Sequence, residues 1–294
     1  MKVLITGSTG QVGSYLVDAM RGSAQVVAPT RAELDLQSEA SIREAVRSVN
    51  PDWILHPAAY TAVDRAETER DLCFAINAAA TRTFAEESLR INAGLVTFST
   101  DYVFDGSADR AYREDDATAP INVYGESKLL AEQSLQEVGG LYFNFRTSWV
   151  YSARGNNFVK TMLRLASTRP ELKVVADQQG CPSSAREIAA CVTALVSRPK
   201  DELGGKAGNY HLAGQGETTW FGFAQEVIAQ AKKLKPEMPW VEPEPVPSSA
   251  YVTPARRPAN SRLCCDLARE RLALSMPEWT KSIAEVVQEL LAQQ

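Results

Sequence analysis

Near its start the chain runs from an apolar stretch, Lys2-Val-Leu-Ile-Thr6, straight into Gly7-Ser-Thr-Gly-Gln-Val-Gly13. Glycines spaced Gly-x-x-Gly-x-x-Gly after a strand restrict what can follow. They permit a tight turn and let backbone N–H groups approach a pyrophosphate at the start of the next helix, where the dipole favours an anion. The pattern predicts strand, turn and helix, with Gly7, Gly10, Gln11, Val12 and Gly13 at the phosphate end of a dinucleotide site. A glycine pattern alone could be a structural turn; its place after the first strand favours the nucleotide.

The rest of the chain keeps the rhythm that such a start requires. Val26–Ala28, Trp53–His56, Leu95–Ser99 and Tyr142–Arg146 read as buried parallel strands, each separated from the next by room for a helix. The expected fold is α/β, a doubly wound parallel sheet of the Rossmann type with a smaller, interleaved C-terminal substrate-binding domain. Residues 1–150 are assigned to the dinucleotide-binding domain, joined by 184–230, and residues 151–183 and 231–294 mainly to the substrate-binding region. Lys173–Ala176 and Tyr210–Leu212 could be further strands. The proline-rich run Pro236 to Pro247 cannot be a regular helix or a central strand. Ile283, Val286, Val287, Leu290 and Leu291 form the stripe of a closing amphipathic helix.

Composition narrows the partners. A formal net charge of -5, with no long basic run, argues against nucleic acid or an acidic membrane surface as principal partner. An anionic substrate would have to be met locally. Cys73, Cys181, Cys191, Cys264 and Cys265 show neither zinc spacing nor a disulfide framework, which points to reduced thiols in the cytoplasm. His56 and His211 are too far apart for a histidine metal site and read as strand-end packing. The chain opens on a strand, without a charged leader and apolar stretch, so neither export nor a membrane span is expected.

An NAD-type site wants an acid at the end of the second strand, on the ribose 2′-OH. This chain has Ala28-Pro-Thr-Arg31 there. Arg31 can meet a 2′-phosphate, or be a solvated surface arginine; Asp35, with Leu36 beside it, suits the adenine side, or caps the following helix. The cofactor expected is NADPH, with NADH possible. Further on, Asn122-Val-Tyr-Gly-Glu-Ser-Lys128 places Tyr124 and Lys128 four residues apart. On a helix they share a face, so the ammonium can act on the phenol; an ordinary helix start is the alternative.

Gly7 to Gly13, Pro57-Ala-Ala-Tyr60, Ser99-Thr-Asp-Tyr-Val-Phe104 and the Tyr124/Lys128 pair resemble the extended short-chain dehydrogenase/reductase family of nucleotide-sugar enzymes. Within it, "STDYVFDG", "NVYGESK", "FRTSWVY", "GNNFVKTMLRLA" and "TPARRPANSRL" are similar to the dTDP-4-dehydrorhamnose reductases, from Met1 to about Arg262. The resemblance implies hydride transfer from a nicotinamide to the C4 ketone of a dTDP-linked deoxyhexulose. Tyr124 would donate the proton, Lys128 would lower the phenol pKa from ~10 and reach the nicotinamide ribose, and Thr100 would hydrogen-bond the same oxygen. Ala58, Ala59, Tyr60, Thr61 and Phe98 would complete the cofactor site.

The same resemblance sorts the substrate side. In the dehydratases the residue after the corresponding aspartate is glutamate; here Tyr102 follows Asp101, so carbonyl reduction is expected rather than dehydration. Asp101 would hydrogen-bond the sugar, or cap the following turn. Trp149 would pack on sugar or nicotinamide, or belong to the core. Asn156 and Asn157 would offer amides to the nucleotide, or form a turn. Arg256 and Arg257 would clamp the diphosphate, or make a surface salt bridge. Some members bind magnesium between subunits through a glutamate near the start of the first helix. This chain has Gly13-Ser-Tyr-Leu16 there, so no metal is expected, and a monomer or weak homodimer is. Ser183, in Cys181-Pro-Ser-Ser184, replaces the usual threonine and keeps its hydroxyl. Another nucleotide-sugar 4-ketoreductase or epimerase, and a non-catalytic dinucleotide-binding subunit like that of methionine adenosyltransferase, remain alternatives.

Overall fold

In the computed structural model, which describes residues 1–292, strand and helix alternate through the first half of the chain. The elements are β1 (Lys2–Ile5), α1 (Gln11–Met20), β2 (Gln25–Val27), α2 (Glu39–Val49), β3 (Trp53–His56), α3 (Val63–Ala66), α4 (Arg70–Phe74), α5 (Ala80–Arg90), β4 (Gly94–Thr100), α6 (Val123–Val138) and β5 (Tyr142–Thr147). Then come β6 (Val150–Tyr151), α7 (Phe158–Thr168), β7 (Leu172–Val175), β8 (Gln179–Gly180), β9 (Ser183–Ser184), α8 (Ala185–Val196), α9 (Lys200–Leu203) and β10 (Gly208–His211). The chain closes with β11 (Thr218–Thr219), α10 (Trp220–Leu234), β12 (Pro243–Val246), β13 (Asn260–Ser261), α11 (Asp266–Leu272) and α12 (Trp279–Ala292).

Six strands form one sheet in the order β2-β1-β3-β4-β5-β10, and every neighbouring pair is parallel. This is the expected doubly wound sheet. Its pleat sends alternate residues to opposite faces. Val3 and Ile5 pack with Leu16 of α1 and Ile188 and Val192 of α8, while Leu4 goes to the other face, with Ile42 and Val46 of α2 and Phe84 of α5. The strand order reverses between β1 and β3, and an open sheet of this kind leaves its ligand crevice there, beyond the carboxyl ends of the strands. The Gly7 turn, the Ala58 loop and Thr100 all follow such carboxyl ends.

A second lobe packs α7, α10 and α12 around Phe223, Val227, Ile283 and Val287, flanked by the pair β7 and β12. The proline-rich run supplies β12, in a two-stranded sheet where missing N–H donors are tolerated. Residues 185–211 join the large sheet through α8 and β10. Residues 220–234, placed from sequence partly with that sheet, form α10 and turn their apolar face to the second lobe instead. Conversely α11 returns to the first lobe, burying Ala268 and Leu272 in its core. The expected boundary at 294 lies outside the described residues. His56 and His211 end β3 and β10 and are buried, and all five cysteines are free thiols.

Candidate active site

The glycine turn has the geometry that its residue types require. Gly7 has φ +58°, and a Cβ there would lie 2.9 Å from the Ala58 Cα; a Cβ on Gly13 would lie 2.1 Å from the Gly7 carbonyl oxygen. These two glycines let α1 close onto β1 and β3. Gly10 donates its N–H to the Gly7 carbonyl at 2.9 Å and opens α1 with no side-chain cap and no acid in the first turn. The first N–H groups of the helix therefore lack partners of their own, a donor set that fits a pyrophosphate. Gln11 and Val12 offer backbone only. The Gln11 side chain accepts from Ser152 Oγ at 3.0 Å and from Asn157 Nδ2 at 3.1 Å, and Val12 packs against the core.

After β2, Arg31 is exposed and forms no ion pair among the described residues. Asp35 accepts from the Gln37 N–H at 2.9 Å, while Ser38 is the residue that caps α2, and Leu36 packs into the α2/α5 core. Beyond β3, Ala58 donates its N–H to Thr6 Oγ1 at 3.3 Å, and Tyr60 donates its own to Asn77 Oδ1 at 2.8 Å. Ala59 and Thr61 lie in the same loop.

Helix α6 carries Tyr124 and Lys128 and is fixed at several points along its length. Asn122 caps it, accepting from the Gly125 N–H at 2.8 Å, and Glu67 accepts from the Val123 N–H at 3.0 Å. Ser127 Oγ donates to the Tyr124 carbonyl and accepts from Asn77 Nδ2 at 2.9 Å; Asn77 lies in a π-helical turn, Ala75–Ala79. Farther along, Glu132 makes a buried bidentate pair with Arg146 of β5, at 2.9 and 2.7 Å. Lys128 is buried and donates from Nζ to the Phe98 carbonyl at 2.9 Å. Burial pulls its pKa down to about 8.

Tyr124 is partly exposed and lies beside Thr100, Asp101 and Tyr102. Burial, and then the neighbouring Asp101 carboxyl, push its pKa above the usual phenol range, with a Thr100 hydrogen bond pulling the other way. The sequence-based expectation of a lowered phenol pKa is therefore corrected for this state. Desolvation dominates, and the lysine head is turned to a backbone carbonyl. Thr100 Oγ1 donates to Asp101 Oδ1 at 3.1 Å and accepts from the Tyr102 N–H at 3.2 Å, so Thr100 is itself the cap of the short 3₁₀ turn Asp101–Val103. Asp101 is buried, with Oδ2 lacking a hydrogen-bond partner. Burial pushes its pKa up to about 7 against the opposing influence of Ser261 and Thr100. The Tyr102 and Tyr124 rings meet edge to face, centroids 5.7 Å apart.

The substrate-side residues separate. Trp149 is left-handed, with φ +48°, and stacks on Trp220 with centroids 3.6 Å apart, its indole lying where a Cβ of Gly180 would be. Asn157 caps α7 and spends its amide on Ser152 and Gln11, whereas Asn156 is exposed. Asn156 lines a concavity of about 590 Å³ with Lys160, Arg164 and Leu290, which none of the Tyr124 group shares. Arg257 forms a two-pronged ion pair with Asp64, Nη1 to Oδ1 at 3.1 Å and Nη2 to Oδ2 at 2.8 Å. Arg256 is exposed, with its backbone carbonyl accepting from Asn122 Nδ2 at 2.8 Å. Sequence reasoning missed Asn77, Asp64, Glu67 and Ser261. For Asn77 the one available signal was an amide inside an alanine-rich helical run.

Fold and site together define an oxidoreductase of the extended short-chain dehydrogenase/reductase class. Residues 1–292 match the family model described as the RmlD substrate binding domain, and the chain belongs to that family. A dTDP-4-dehydrorhamnose reductase of Burkholderia thailandensis is 41% identical over 100% of both chains, and one of Escherichia coli K12 is 42% identical over 99% of this chain and 98% of that one. A solved dTDP-4-dehydrorhamnose reductase of Bacillus anthracis, in complex with NADP, superposes with a TM-score of 0.90 at 37% identity, covering 98% of this chain and 100% of that one. The Clostridium acetobutylicum enzyme of the same name gives 0.91 at 32% identity over 100% of each. A Thermus thermophilus UDP-glucose 4-epimerase, at 19% identity, shares the fold. Among the described residues no helix is long and apolar enough to cross a membrane.

Proposed function

We propose that the chain reduces the C4 ketone of dTDP-4-dehydro-6-deoxy-L-mannose to dTDP-L-rhamnose, with Tyr124 as proton donor. The observation that carries this reading is geometric: Tyr124 stands one helical turn before the buried Lys128, whose Nζ is held at the Phe98 carbonyl, and beside the buried Thr100. NADPH, with NADH possible, would supply the hydride when bound at the uncapped start of α1. Charge then develops on the ketone oxygen. Thr100 Oγ1 can turn its hydrogen from Asp101 to that oxygen, and Tyr124 can yield its proton to it. The Lys128 ammonium, held at the Phe98 carbonyl, favours the phenolate left behind. Tyr102, in the place where a dehydratase needs an acid, supports reduction alone.

Arg256, free of any carboxylate among the described residues, is the side chain we assign to the diphosphate, and Trp149 offers an aromatic face to the sugar. A cytoplasmic monomer or weak homodimer is part of the same proposal. Following NADPH oxidation with dTDP-4-dehydro-6-deoxy-L-mannose, and determining the product's C4 configuration by NMR, tests it. The expected result is stoichiometric dTDP-L-rhamnose. No oxidation, or a product of the opposite configuration at C4, would overturn the reading.

A further inference from the structure

The two adjacent arginines of Thr253-Pro-Ala-Arg-Arg-Pro258 have different surroundings, and the difference points to a residue outside that segment. Asp64, on the four-residue helix α3 just after the cofactor-side loop, receives three hydrogen bonds from the segment: two from Arg257 and one from the Ala255 N–H at 3.3 Å. Arg257 holds the Asp64 carboxyl below its ordinary range. Around these bonds the segment is seated. Ala255 and Pro258 are buried, a Cβ on Gly106 would strike Pro258, and the Arg256 carbonyl is bonded to the cap of α6. Upstream, Tyr251 is 50% and Val252 97% exposed. The bonds to Asp64 thus mark where an exposed run becomes a fixed one.

What the segment is fixed against is the site itself. The Arg257 guanidinium lies close enough to the Tyr102 phenol to oppose the upward push of burial on it, and the Tyr102 ring packs edge to face on Tyr124. We propose that Asp64 is a positioning residue for nucleotide-sugar binding. By holding Arg257 it seats residues 253–258 against Tyr102 and the start of α6, which leaves Arg256 free for the diphosphate. The inference rests on the reading of the substrate given above. A solvent-exposed ion pair is worth little on average; this one is half-buried, two-pronged and backed by a backbone N–H, which gives it directional hold.

Asp64→Asn keeps the shape and removes the charge. Its KM for the dTDP-ketosugar should rise by about 3- to 10-fold, with kcat within about twofold and NADPH affinity unchanged, because binding of the sugar nucleotide is weakened equally in the ground and transition states. Asp64→Glu should recover part of the loss, and Asp64→Asn should add nothing in an Arg257→Ala background, since the two act as a unit. A second arm needs no substrate. Chymotrypsin should cut after Tyr251 faster in Asp64→Asn than in the unaltered protein. An unchanged KM and cutting rate, additive effects of the two substitutions, or equal losses in kcat and cofactor affinity would each overturn the proposal. If the unaltered protein failed to turn over the ketosugar, the functional reading would fall, while the proteolysis arm would still decide whether Asp64 holds the segment.

Discussion

Replacing Gly125 by alanine adds one methyl group to the helix that carries Tyr124, at the point where that helix has least room. A Cβ on Gly125 would stand 2.2 Å from the Tyr102 carbonyl oxygen and 3.0 Å from Pro120 Cβ, where ordinary contact begins at 3.4 Å. Something must move by about 1 Å. Helix α6 resists, being fixed by its Asn122 cap and by the Glu132–Arg146 pair. The 3₁₀ turn resists through the Tyr102 N–H bond to Thr100. The strain therefore falls on the spacing of Tyr124 and Thr100, the pair proposed to hold the ketone, where a displacement of about 1 Å can cost ~10²-fold in rate. Alanine's better helix propensity returns at most ~1 kcal/mol, against ~1–3 kcal/mol for overpacking. We expect a net loss of stability of up to about 2 kcal/mol, a kcat down ~10²-fold and unchanged NADPH affinity, since the glycine turn lies elsewhere. Steady-state kinetics, calorimetric titration with NADPH and thermal melting measure all three. A variant with normal kcat and normal melting would show that the Tyr102 carbonyl yields freely, and that the close approach has no bearing on catalysis.

Tyr124→Phe keeps the ring but removes the proton, so turnover should fall by ~10²–10⁴ with dinucleotide binding retained; a normal rate would remove Tyr124 from the chemistry. Arg31→Ala should lose kcat/KM selectively with NADPH if Arg31, exposed and without an ion pair among the described residues, meets the 2′-phosphate as assigned; equal losses with NADH would refute the assignment. Chelation should leave activity intact: Tyr15 of α1 lies under Arg154 and close to Arg186, which pair with Asp18 and Glu289, so guanidinium groups already balance the acids on that face. Loss on EDTA treatment, restored by magnesium, would contradict this. Asp101, raised from 3.8 to about 7 by burial, makes its full contribution to stability below about pH 4 and loses it as the pH rises to about 7. Asp101→Asn should therefore melt above the unaltered protein at pH 8, by the equivalent of about 2–4 kcal/mol, but not at pH 4; a pH-independent difference would show that Asp101 is not buried as a charge.

Strands flanked by other strands in a parallel sheet are apolar on both faces, so Trp53–His56 and Leu95–Ser99 were legible as continuous runs. The Tyr124/Lys128 pair was legible because four residues are one helical turn. Contacts between distant segments left no local trace. Arg256 and Arg257 are the same residue type in adjacent positions, and only a path that brings Asp64 close, 193 residues away in sequence, distinguishes them. Asn77 meets Ser127 across 50 residues. The amphipathic stripe of α10 declares an apolar face but not which lobe receives it. Tyr124 shows the same limit in its electrostatics: its spacing from Lys128 was visible, but the desolvation that raises the phenol pKa depends on everything packed around it.

The threading of the two lobes governs how the molecule can be taken apart. The chain leaves the large sheet after β5, comes back with α8, departs again after β10, returns with α11 and ends in the second lobe with α12. A fragment stopping near residue 150 would lack the edge strand β10 and the whole of α8, leaving Phe143, Phe145, Val3 and Ile5 without the Ile188, Val192 and Leu195 side chains that cover them. Neither half is then an inheritable module: recombination could not exchange the second lobe as a cassette, and a stop codon anywhere before α11 would leave a product for the cell's proteases. Diversification of such a chain is channelled into single substitutions and loop changes around an indivisible frame.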